Sequence, residues 1–239
     1  MTCPAHNWRW TDDPLPYDNG NGVGYVKCQA CGALQLAKPR RVSRSDLPRV
    51  AHEIICAKLR ELLRQRGVVM DVLPYSLALV GELGGASVAP PRLCSVMPSA
   101  GAHSRIKRTS VFEADWPRWL FTFDRWVGRL DGDGDTNLLL ISGTKRVVPI
   151  DWELAFPWAV AEPRVIIRRV EDLSVPTHPC VVTAADTAAL VALKRVNDEA
   201  IWTAVHDCMT PELLHPAVAT AYWSGLCLRR DLLIKEAGL

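Results

Sequence analysis

Apolar positions recur with helical spacing most clearly between residues 46 and 66. There Val50, Ile54, Ala57 or Lys58, and Leu62 define one face, and Arg60, Glu61, Arg64 and Gln65 the other. Asp46 is placed to cap this helix, Pro48 suits its first turn, and Gly67 ends it. A strand-like apolar stretch, residues 68–83, follows. The Gly-, Pro- and Ser-rich passage 84–102 then reads as loop with room for a lobe junction. A second helix is predicted over 116–130, then an acidic loop 131–137. An apolar hairpin comes next, from Leu138 to Ile141 and Val147 to Ile150, turning at Ser142-Gly143. From residue 184 onward the pattern gives two or three helices, interrupted near Thr210-Pro211 and His215-Pro216. The first 40 residues differ in kind, being rich in Cys, Trp, Gly and Asn. They carry turn chemistry at Asp18-Asn19-Gly20-Asn21-Gly22 and a hairpin pattern from Tyr25 to Lys38. No internal repeat is visible.

Composition narrows the class. The chain has 239 residues, 49% of them hydrophobic and 23% charged, which is ordinary for a globular protein with a real core. A formal net charge of +2 does not call for nucleic acid or an acidic membrane as partner. The basic runs Pro39-Arg40-Arg41 and Arg105-Ile106-Lys107-Arg108 read as solvated surface. The chain opens with Cys3 and His6 rather than an apolar run, and no apolar stretch nears the length of a membrane span, so a cytoplasmic location is expected.

The string from Phe123 to Phe156 carries the chemistry. A helix delivers an acidic loop, the loop ends at Asn137, an apolar hairpin follows, and its second strand ends at Asp151. Phosphoryl transfer needs one carboxylate to take the proton of the attacking hydroxyl. It also needs an Asn or Asp and a second carboxylate to hold magnesium against nucleotide phosphates. A hairpin brings those groups to one end of two neighbouring strands. The segment Asp131 to Asn137 also has the alternating oxygens of a calcium loop, but an EF-hand wants Gly at position six and Glu at twelve, where Thr136 and Ser142 stand. A plain acidic turn leaves Asp151 unexplained.

Here the sequence resembles the HipA-like kinases, on Phe123-Asp124-Arg125-Trp126, Asn137-Leu138-Leu139-Leu140, Ile150-Asp151 and the tail Leu228-Arg229-Arg230-Asp231-Leu232-Leu233. The resemblance implies an α+β, two-lobed protein-kinase-like fold with a reduced N-terminal lobe and a mostly helical C-terminal lobe. It covers about residues 46–235 and is specific over 120–156. Asp131 is similar to the catalytic base, with Asp133 as the alternative. Asp151 is similar to the metal-binding Asp and Asn137 to the metal-binding Asn, with Asp135 competing for that role. The interval from Asp131 to Asn137 is one residue longer than the usual kinase loop. Gly132 and Asp133 stand where a basic residue and His often follow the base. A strand Lys paired with a helical Glu would complete the phosphate site, and Lys38 and Glu53 occur in that order, without a Gly-rich loop upstream. Trp116, Trp119, Trp126, Trp152 and Trp158 are read as packing residues, and Glu153 as solvated.

Eight cysteines remain. Cys94, Cys180, Cys208 and Cys227 stand singly and read as small buried side chains. Cys3-x-x-His6 and Cys28-x-x-Cys31 are two pairs whose gap lets both side chains grip one tetrahedral zinc, with Gly32 permitting the turn after the second pair. His52 and Cys56, four apart on one helix, are an alternative to Cys3 and His6. The expected organisation is a zinc-ribbon-like element and hairpin over 1–44, a reduced N-lobe over 45–102 and a kinase-like C-lobe over 103–239. The expected function is transfer of the ATP γ-phosphoryl group, with Mg2+, to a hydroxyl, by resemblance a protein Ser or Thr, with structural Zn2+ near the N-terminus. The alternative is a catalytically degenerate kinase-fold binding protein whose zinc end recognises a protein or nucleic-acid partner, for which Arg40, Arg41 and Arg44 are suited.

Overall fold

A computed structural model describes residues 3, 6–11, 24–39, 49–70, 75–81, 92–98, 103–105, 117–130, 137–152, 154–159, 169–174, 186–211 and 213–239. The protein is mixed α+β, with five helices among the described residues. It divides into two units, Met1–Ser43 with Leu73–Ser99, and Arg44–Val72 with Ala100–Leu239.

The first unit is a closed five-stranded barrel. Its strands are β1 (Trp8–Trp10), β2 (Gly24–Cys28), β3 (Leu34–Pro39), β4 (Ser76–Gly81) and β5 (Arg92–Pro98), ordered β1-β2-β3-β5-β4. Neighbours are antiparallel except β1 and β4, which pair in parallel through Trp8↔Val80 and Arg9↔Gly81 and close the ring. Trp8, Val26, Cys28, Ala37, Val80, Cys94 and Val96 fill its interior. Alternation along β2, with Val26 and Cys28 buried around an exposed Lys27, shows why a strand forms there. This barrel replaces two expectations. The two-lobed fold with a reduced N-terminal lobe, implied by the resemblance, gives way among the described residues to a closed five-stranded ring that joins strands from both sides of α1 in sequence. Within the passage read as loop, Arg92–Pro98 is a strand, its backbone bonded to β3 on one side and β4 on the other. The pattern hid β5 because its buried residues Cys94, Ser95 and Val96 are small and partly polar.

The second unit holds helices α1 (Arg49–Arg64), α2 (Trp119–Val127), α3 (Thr187–Lys194), α4 (Asp198–His206) and α5 (Pro216–Glu236), and a three-stranded antiparallel sheet. The sheet is ordered β6 (His103–Arg105), β7 (Leu138–Ile141), β8 (Val147–Pro149). Gly67, at φ +93, follows α1 as expected, while Asp46 and Pro48 lie outside the described residues. Gly128 ends α2 in the left-handed conformation, its amide donating to Asp124 O. Side chains cap the last three helices: Asp186 accepts from Ala188, Asn197 from Ala200, and His215 from Ala217, with Pro216 in the first turn of α5.

Ala219, Tyr222, Gly225, Leu226, Arg229 and Leu233 form the buried stripe of α5. Trp126 Nε1 donates to Leu226 O at 2.9 Å, joining α2 to that stripe. Arg229 donates to the carbonyls of Arg125 and Trp126, which the end of α2 leaves without intrahelical partners, and to those of Val170 and Asp172. One expectation for α1 is corrected: Arg60, assigned to the outer face, is 2% exposed, and the buried face runs from the expected Val50 and Ile54 through Ile55, Cys56, Leu59, Arg60 and Leu63. No helix among the described residues is long and apolar enough to cross a membrane.

Candidate functional site

The strand pair β7–β8 positions the residues singled out for phosphate chemistry. Its register sets Leu138 opposite Pro149, and Ile150 N donates to Asn137 O at 2.9 Å. Asn137 and Asp151 thus sit at the same end of the hairpin, as its topology requires. Asn137 is buried and Asp151 half-buried. Asp131, Asp133 and Asp135 lie outside the described residues, as does Glu153. The two flanks of that acidic loop are nonetheless fixed to the Asp151 segment. Before it, Leu130 N donates to Leu154 O at 3.3 Å; after it, Asn137 takes the bond from Ile150.

Asp151 has φ 63, and Phe156 has φ 60; these are the two non-glycine residues of positive φ among the described residues. A left-handed residue with a Cβ costs about 1–2 kcal/mol, so the surroundings must hold it there. They do so on both sides of Asp151. Arg129 Nη2 donates to Ile150 O at 2.5 Å, and Trp152 N donates to Glu53 Oε1 at 3.3 Å. Phe156 N is in turn bonded to Val127 O at 2.8 Å.

Glu53 is a buried residue of α1 that holds the backbone just past Asp151. Lys38 lies on β3 of the barrel, opposite Ser95 and half-buried.

Trp152 is the centre of a buried polar network that the sequence did not disclose. Its ring lies 3.8 Å from the guanidinium carbon of Arg60 and 4.8 Å from that of Arg129, a favourable arrangement of cations against an aromatic ring. Its Nε1 donates to Asp124 Oδ1 at 3.1 Å, and Asp124 lies 3.6 Å from Arg129. Burial pushes the Asp124 carboxyl above its ordinary range, while Arg129, the Trp152 indole and Arg60 pull it back. Burial likewise raises the Cys56 thiol well above its ordinary value. Asp124 of the Phe123-Asp124-Arg125-Trp126 string is thus a structural acceptor behind the site. The available signal was a charged residue, Arg60, recurring at helical spacing from Glu53 and Cys56 on the face that turned inward.

The second cluster is in the barrel unit. One ligand atom from each of Cys3, His6, Cys28 and Cys31 lies within 4.8 Å of the others, so the group can hold a metal ion. Cys3 Sγ is 3.9 Å from Cys28 Sγ, and Cys31 Sγ is 3.7 Å from His6 Nδ1. Burial works to raise the Cys28 thiol, but hydrogen bonds from His6 and the backbone of Cys31, Ala30 and Asn7 outweigh it and bring it down to about 6. Of the two ligand sets considered, the described residues gather the one with Cys3 and His6. His52 is buried in the second unit, its Nε2 2.5 Å from Tyr222 Oη and its ring edge-on to Phe156.

No protein-family model matches the chain, and no curated protein matches it. Among solved structures, the proinflammatory kinase CtkA of Helicobacter pylori is similar over 92% of this chain and 93% of its own, at 12% identity and a TM-score of 0.49.

Proposed function

We propose that this protein is a HipA-like kinase that moves the terminal phosphoryl group of ATP onto a hydroxyl, with a protein Ser or Thr as the acceptor implied by the resemblance. The observation that carries this reading is the end of the β7–β8 hairpin. Asn137 and Asp151 share it, and Asp151 is held in a left-handed conformation between two anchored neighbours.

Asn137 and Asp151 would hold magnesium, which when bound neutralises charge on the β- and γ-phosphate oxygens. Asp135 is the alternative to Asn137. Asp131, or Asp133 in its place, takes the proton of the attacking hydroxyl. The γ-phosphorus then bonds to that oxygen as its bond to the β–γ bridging oxygen breaks. Lys38 is the lysine that the resemblance assigns to the phosphates. Glu53 acts as a positioning residue by fixing the Trp152 amide. The Gly132-Asp133 pair after Asp131 is the feature that favours the second reading, a nucleotide-binding scaffold without transfer.

Calorimetric titration of ATP with magnesium tests the site. Asp151→Asn keeps the left-handed backbone, which Asn tolerates, and is expected to weaken magnesium-dependent binding about tenfold or more with an unchanged fold. Absence of binding by folded wild type would overturn the kinase reading. Binding without transfer of labelled phosphate to any protein acceptor would leave the scaffold.

A further inference from the structure

We propose that Cys3, His6, Cys28 and Cys31 bind one zinc ion that closes the barrel of the first unit by fastening β1 to the β2–β3 hairpin. The donor set fits the metal. With zinc–sulfur bonds of about 2.3 Å, a tetrahedral site has sulfur–sulfur edges of about 3.8 Å and, with zinc–nitrogen near 2.0 Å, sulfur–nitrogen edges of about 3.6 Å. The Cys3–Cys28 and Cys31–His6 separations of 3.9 and 3.7 Å lie close to those edges. The wider spans, none above 4.8 Å, close by small rotations of His6 and Cys31, whose side chains are exposed. All four cysteine and histidine donors are taken, leaving no position for water, so the site is structural.

Each short contact crosses from one segment to the other rather than joining the two members of one pair. Cys3 and His6 precede β1, Cys28 is the last residue of β2, and Cys31 is in the turn before β3. An ion between them therefore ties two segments together. The backbone already prepares the junction: Gln29 N donates to Asn7 O at 2.9 Å, Gly32 N to Cys28 O at 2.9 Å, and Gly32 takes φ +73 to complete the turn. His6 stacks on Trp8 with centroids 4.7 Å apart, so a ligand ring rests on a residue of the barrel core.

That junction matters because β1 is weak on its own account. It has three residues, and it meets β4 through only two residue pairs, in the parallel mode, which is slightly less stable per residue. Yet the ring closes only through β1. The barrel core is small, and small cores commonly rely on a metal or disulfide to hold them. No disulfide joins cysteines among the described residues. The proposal stands apart from the kinase reading and would survive its failure.

The test uses the full chain purified under reducing conditions. Wild type is expected to carry about one zinc per chain, and cobalt exchanged into it should show the absorption of a tetrahedral site with three sulfurs and one nitrogen. Cys31→Ser should lose the metal, while Cys208→Ser should keep it. On chelation, amide hydrogen exchange should rise about tenfold or more at Trp8–Trp10 and Ser76–Gly81, with α5 as the internal control for a folded protein. Metal-free wild type with α5 protected, or a Cys3–Cys28 disulfide in place of metal, would overturn the site. Full zinc retention by Cys31→Ser would overturn the ligand set. Zinc whose removal leaves β1 and β4 protected would overturn the closing role.

Discussion

Trp152 shows how much one side chain can settle. It follows Asp151, presses against two guanidinium groups and gives its indole N–H to a buried carboxylate. Trp152→Phe keeps the ring and removes the donor, leaving Asp124 short of a partner, at an expected cost of about 2–3 kcal/mol in urea unfolding. The deficit depends on pH. Burial already raises the Asp124 carboxyl in the folded state, so its contribution is fully present below the ordinary Asp value and is lost as pH rises through the raised one. Removing the indole, which favours the ionised form, raises that carboxyl further. The variant should therefore fall further below wild type at pH 8 than at pH 5, and an equal deficit at both would deny the coupling. At this scale the spacing of Cys3, His6, Cys28 and Cys31 was enough to foresee that they gather, and the hairpin pattern that Asn137 and Asp151 fall at one end of it. Hydropathy misplaced Arg60, because it does not tell a charge that turns inward to meet Trp152 from one that turns outward; the cue lay in its spacing from Glu53 and Cys56.

Among elements, the hairpin β7–β8 announced itself through two apolar runs turning at Ser142-Gly143, where Gly143 takes positive φ. Strands β1 and β5 did not. Trp8-Arg9-Trp10 is too short to show alternation, and β5 owes its existence to β3 and β4 on either side, partners distant in sequence. Helix α5 carries a further dependence on distant partners, since Arg229 serves the carbonyls that α2 and the segment around Val170 leave open. Lysine has the charge but not the planar fork needed to reach four oxygens. Arg229→Lys is expected to cost about 3 kcal/mol, read as a fall in the thermal midpoint, because buried carbonyls lose their donors. A variant melting with wild type would show that these bonds contribute nothing net.

At the scale of the whole molecule, the chain visits its two units in an order that no local pattern encodes. Residues up to 43 belong to the barrel, α1 to the other unit, and β4 and β5 to the barrel again. The succession of segments read along the chain lacks β1 and β5, and the ring depends on them through long-range pairing, which composition does not carry. The fragment 1–43, lacking β4 and β5, is expected to give unfolded amide shifts across Leu34–Pro39 by nuclear magnetic resonance even with zinc present. Native-like shifts there would make the hairpin self-sufficient. The interleaving also has a consequence for biosynthesis. Between the end of β3 at Pro39 and the end of β5 at Pro98, a ribosome adding about 5–20 residues per second works for roughly 3–12 s. Through that interval Leu34–Pro39 waits for its β5 partner while the thiols before it are already made and open to a metal or an oxidant, so the pace of translation and the supply of metal meet at the same few residues.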